Sequence, residues 1–181
     1  QYHSYTAKIY GIVGFLALQK ATKKAKFKKG PTEKEKKEIN TKDYGKLSAK
    51  QIKNRQIYGA IRAYAELMKI DGDMDPNEVM ILPALIEKEK VKLSGNYNQD
   101  SEEFKFVWAS EENVFTSLKT YNKKQIKNFY DNLFSMAVID GTVKEPEIDF
   151  MITMYKNITG SDDKKSAETV GAMFKVWKES G

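Results

Sequence analysis

The chain has no cysteine and a single histidine, His3, in 181 residues. The first absence removes disulfides, thiolate metal sites and cysteine nucleophiles. The second removes a two-histidine metal centre and a Ser-His-acid triad within the body, because His3 sits at the very start. Proline and glycine are sparse, at 4 and 11, which suits helices better than a turn-rich β fold. No apolar run reaches the ~18 to 20 residues of a membrane-spanning helix. The nearest is "IYGIVGFLAL", Ile9 to Leu18, which reads as a buried or interfacial helix. Its "YGIVG" lacks the lysine and hydroxyl residue of a phosphate-binding loop. The chain starts at Gln1 rather than Met, which fits a removed signal peptide as well as a trimmed chain. The expectation leans to the periplasm or cell envelope if a signal peptide precedes Gln1, and to the cytoplasm otherwise.

What is present describes a globular protein: 40% apolar, 31% charged and 12% aromatic. The net charge of +6 is concentrated. Between Lys20 and Lys37 there are nine lysines against two glutamates, so the remainder sums to −1. A nucleic-acid-binding body carries its positive charge on the folded face, so this distribution weighs against nucleic acid. Lys20, Lys23, Lys24, Lys26, Lys28 and Lys29 instead mark an arm for an anionic membrane surface or a protein partner. Tyr2, Tyr5 and Tyr10 add aromatic side chains to that arm.

Two parts follow. Residues 1–45 form a basic first helix over 5–24 and a charged linker over 30–45, where Thr32 and Glu35 have capping-box spacing. Residues 46–181 form the body. Ser48 caps a helix over 49–70 whose Ile52, Ile57, Tyr58, Ile61, Tyr64, Ala65 and Met68 keep one buried face. Asp75 and Pro76 open a second helix to about Lys92, bent at Pro83. Residues 93–101 read as a loop. "EFKFVWAS" alternates Phe104, Phe106 and Trp108 but is too short for a strand, and is read as irregular chain or a helical turn. Further helices are expected over 111–121, over 123–139 behind an Asn122/Gln125 cap, and from Pro146 to about Thr159 with Gly160 as terminator. Ser161 caps a last helix with Ala167, Val170, Phe174 and Trp177 on one face. The fold class is all-α: a helical bundle of six to eight helices.

Within it one device occurs twice. "ELMKIDGDMDPNEVMILPAL" and "LFSMAVIDGTVKEPEIDFMITMY" each run an apolar helix into Ile-Asp-Gly, make a polar turn and restart at proline. Ile70 matches Ile139, Leu67 matches Met136, and Gly72 matches Gly141. Pro76 and Pro146 restart the helix, with one extra residue in the second copy. The glycines stop one helix, and the acidic residues and prolines launch the next beside its positive end. The bundle is thus expected to hold an internally duplicated αα-hairpin, with Gly72, Pro76, Gly141 and Pro146 as its structural corners.

The pair "AYAELMKIDGDMDPNEVMILPALIEK" and "FSMAVIDGTVKEPEIDFMITMY" resembles the tellurite-resistance TerB family and its TerB-like relatives over roughly residues 49–160. The resemblance implies an all-helical duplicated domain without established catalysis, associated with bacterial stress-response and envelope complexes, protein contacts and metal sensing. One relative joins such a domain to a membrane anchor and a DnaJ domain, but this chain has no His-Pro-Asp.

The acidic turn is weighed directly. Asp71, Asp73 and Asp75 have the opening spacing of a calcium loop, yet its sixth and twelfth positions are Pro76 and Leu82 instead of glycine and a bidentate glutamate. Helix capping is the leading reading. A weak Ca²⁺ or Mg²⁺ site of Asp71, Asp73, Asp75 and Glu78 is the alternative, and no other cofactor is indicated. Glu102-Glu103 and Glu111-Glu112 read as solvated helix starts rather than a catalytic carboxylate pair. The sequence thus points to a non-enzymatic interaction module with protein partners, and secondarily to a divalent-cation sensor or a membrane-surface binder.

Overall fold

The computed structural model describes residues 47–70, 76–139, 141 and 143–180, and of 76–79 the backbone alone. The basic arm, its six lysines and the turn residues Asp71, Gly72, Asp73 and Asp75 lie outside the described residues, as does the Glu78 side chain. Among the described residues there are seven α-helices and no strand. They are α1 (Ala49–Lys69), α2 (Pro76–Lys90), α3 (Glu102–Ala109), α4 (Glu111–Leu118), α5 (Lys123–Ala137), α6 (Glu145–Thr159) and α7 (Asp163–Ser180). The all-α bundle expected from the sequence is what the described residues form.

α1 is the axle. Ser48 caps it through a capping box with Gln51. From Gln56 to Ala65 every residue is buried, because α2, α3, α4 and α5 pack around it. Such all-round burial leaves Arg62, 1% exposed, among apolar side chains. Its guanidinium donates through Nη1 to the carbonyls of Val107 and Ser110, at 2.6 and 2.8 Å, and pairs through Nη2 with Glu66 at 3.6 Å. One buried side chain thereby ties the α3–α4 corner to the central helix.

"EFKFVWAS" is helical up to Ala109, within α3, and Ser110 is extended. Ser101 caps α3 and two glutamates fill its first turn. The buried residues are Phe104, Val107 and Trp108, a three-four spacing, while Phe106 is only half-buried under the Arg55 guanidinium at 3.6 Å. The apparent two-residue alternation came from Phe106, whose partner is a cation. Asp162 rather than Ser161 caps α7, accepting from the Lys165 amide at 2.7 Å. On α7 the fully buried positions are Ser166 and Val170; Phe174 and Trp177 pack half-buried against Phe134 and Ala167 is exposed. α2 continues through Pro83 to Lys90.

The repeat keeps a constant register. α2 begins at Pro76 and α6 at Glu145, 69 residues apart, the same separation as Asp71 and Asp140. The extra residue inferred from the prolines is therefore not an insertion: Pro76 is the first helical residue and Pro146 the second. At that separation the buried Leu67, Leu82 and Leu85 correspond to the buried Met136, Met151 and Met154. Even the closing bonds correspond, Ile70 N–H to Leu67 O at 3.3 Å and Ile139 N–H to Met136 O at 3.4 Å. Gly141 then turns the chain at φ +99°, a conformation that suits glycine. Glu147 accepts from the Lys144 amide at 3.0 Å and fixes the start of α6.

Candidate functional site

Two depressions stand out, and neither contains a residue that the sequence nominated as a site. The first is polar and lies between α1, α2 and α5, with room for a cavity of about 100 Å³. Its floor is Glu89, on the last turn of α2 and only 5% exposed. The loop after α2 holds that turn in place. Asn54 of α1 bonds both the amide and the carbonyl of Ser94, at 3.0 and 3.3 Å, and the Tyr58 hydroxyl accepts from the Asn98 amide at 3.1 Å.

Around Glu89 the walls are aromatic and amide. The Tyr64 hydroxyl lies against the Glu89 carboxylate and accepts from Asn132 Nδ2 at 3.0 Å. Phe129 stands 5.6 Å from the Tyr64 ring and 5.9 Å from that of Tyr121. Burial first, and then the Glu89 charge, push the Tyr64 phenol up, so it remains a neutral hydroxyl. Tyr121 is raised well above its ordinary value by burial, then by Tyr64 and Glu89. At the mouth Lys92 Nζ reaches Glu89 at 3.3 Å, and Lys53 is exposed.

Gln56 and Gln125 close one side. Gln56 donates to Thr120 at 2.7 Å and Gln125 donates to Gln56 at 3.3 Å. They are 69 residues apart, so they are equivalents under the repeat that touch where the two copies meet. This pair was visible in the sequence, since each glutamine precedes its Asp-Gly by the same interval, fifteen residues. Glu89, Tyr64 and Asn132 carried no such signal; only the packing of α2 on α1 and α5 assembles them.

The second depression is an apolar groove of about 130 Å³ between α5, α6 and α7, lined chiefly by Phe134, Ile148, Met151, Val170, Gly171 and Phe174. Ile148 is 40% exposed at its edge. Gly171 has open space above its Cα, which keeps the α7 wall of the groove low.

Of the proposed corners, Gly141 has φ +99°, Pro146 is the second residue of α6 and Pro76 is the first of α2. The cation site of Asp71, Asp73, Asp75 and Glu78 and the lysine arm fall outside the described residues. Among the described residues no three histidine, aspartate or glutamate side chains converge as a metal cage. No described helix is long and apolar enough to cross a membrane. Comparison with protein-family models, with curated proteins and with solved structures finds no match to the chain.

Proposed function

We propose that this protein is a non-enzymatic, TerB-like helical module that acts through protein contacts in a bacterial envelope or stress-response assembly. The observation that carries the reading is the apolar groove between α5, α6 and α7 with Ile148 at its rim. A concave apolar strip between helices is the shape that receives the apolar face of a partner helix. The constant 69-residue register of buried positions supports the TerB-like part, because an ancestral duplication preserves such a register and chance punctuation does not. The occupant is an amphipathic helix of a partner protein.

The test compares wild type with Ile148→Asp in pull-down from native extract, with mass-spectrometric identification. A stoichiometric partner that is kept by wild type and reduced at least tenfold by Ile148→Asp supports the reading. A partner retained equally by both sinks the groove as the interface, and a chain that recovers nothing sinks the module.

A further inference from the structure

The polar cavity between α1, α2 and α5 is independent of the apolar groove and asks for a different occupant. Its floor is a fixed carboxylate, Glu89, at 5% exposure. Its rim carries the ammonium groups of Lys53 and Lys92, on exposed side chains. Negative at depth and positive at the mouth, the cavity has the charge order opposite to that of a zwitterion entering ammonium first. We propose that this cavity binds a small zwitterion bearing a primary ammonium and a carboxylate, with the ammonium on Glu89 and the carboxylate at Lys53 and Lys92.

The exchange of partners makes this physically sound. Lys92 Nζ now sits 3.3 Å from Glu89 and occupies the place that a ligand ammonium would take. On entry the ligand ammonium replaces it, and the released Lys92 pairs with the ligand carboxylate. No charge is buried alone, which is the condition for a partly buried ion pair to hold. A primary ammonium brings three N–H donors. The Glu89 carboxylate and the neutral phenol of Tyr64 accept them, and the rings of Phe129 and Tyr121 line the same cavity. A simple anion meets Glu89 head-on. A simple cation satisfies the floor but leaves both lysines unanswered. The volume, about 100 Å³, holds several waters and so admits a molecule of a few heavy atoms.

Calorimetry on the full chain at pH 7 tests this with glycine, β-alanine and 4-aminobutyrate as a spacing ladder, methylammonium as the cation alone and acetate as the anion alone. At least one zwitterion is expected to bind at least tenfold more tightly than methylammonium, and acetate not at all. Glu89→Gln should weaken that zwitterion at least tenfold. Because Glu89 is buried and its loss can disturb folding, Lys92→Met supplies an arm at the rim. It should narrow the preference for zwitterion over methylammonium several-fold while methylammonium binds as well or better, its competitor for Glu89 being gone. Acetate binding as tightly as any zwitterion, unchanged preference in Lys92→Met, or no heat from any probe at tens of millimolar overturns the proposal.

Discussion

At the scale of single residues the most informative groups are the charged ones that the fold encloses. Arg62 spends its guanidinium on two backbone carbonyls and on Glu66, and Glu111, at the start of α4, stands in the same field. Burial foremost, then the Glu66 charge, hold the Glu111 carboxyl above the usual carboxylate range, and Arg62 pulls it back only in part. A carboxyl whose pKa rises on folding favours the native state when protonated. Its contribution is intact below the unfolded value near 4.5 and is lost as pH rises through the higher folded value. Glu111→Gln should therefore raise the melting temperature at pH 7, with the difference from wild type vanishing below about pH 4. Melting curves at both pH values check this, and a variant less stable than wild type at pH 7 would mean that the Arg62 attraction outweighs burial. Neither residue was legible in the sequence. Arg62 looks like an ordinary solvent-facing position of an amphipathic helix until four neighbours close around α1.

At the scale of the helix, capping chemistry was the most readable layer, because it is local. Ser48/Gln51 and Asn122/Gln125 form the capping boxes their spacing implies, and Gly160 ends α6 in the left-handed conformation at φ +72°. α3 was less readable, since its buried triplet Phe104, Val107 and Trp108 is interleaved with Phe106, which is half-buried at the core's edge with Arg55 over its ring. How closely helices approach was not readable at all. Gly59 faces α4 so tightly that a Cβ there would lie 3.2 Å from Leu118 Cδ2 and 3.4 Å from Ser117 Cβ. The contact with Leu118 is tighter than ordinary van der Waals packing, and Leu118 itself is fully buried in a close-packed core. Gly59→Val adds two further methyl groups at that seam and should destabilise the protein by about 1–3 kcal/mol, the range for overpacked cores. Urea unfolding measures it; a cost below about 0.5 kcal/mol would mean that α4 slides freely on α1.

At the scale of the whole molecule the question is whether the two copies of the repeat are separate units or one. The duplication was legible from Asp-Gly and proline punctuation, but its partnership was not. α1 is enclosed on all sides while α5 buries one face, so equivalent helices do unequal jobs. The halves also interlock: α1 and α2 pack on α5, and α4 packs on α6. The glutamine pair Gln56 and Gln125 bridges them at the polar cavity. Neither half could keep its core dry if the other left, so unfolding should be a single cooperative step. The chain supplies its own reporters, because its two tryptophans lie in different halves. Trp108 stacks on Phe104 at 4.1 Å in α3, which packs on α1, and Trp177 of α7 lies 5.9 Å from Phe134 of α5. Single-tryptophan variants, Trp108→Phe and Trp177→Phe, should each lose fluorescence structure in one transition that coincides with loss of helical circular dichroism in the same variant. If the Trp177 probe melts at lower denaturant than the circular dichroism of its own variant, α7 and the groove it walls open independently of the α1 core. The groove would then be a surface whose shape depends on local unfolding, and a partner helix seated in it would raise the midpoint of the Trp177 transition alone.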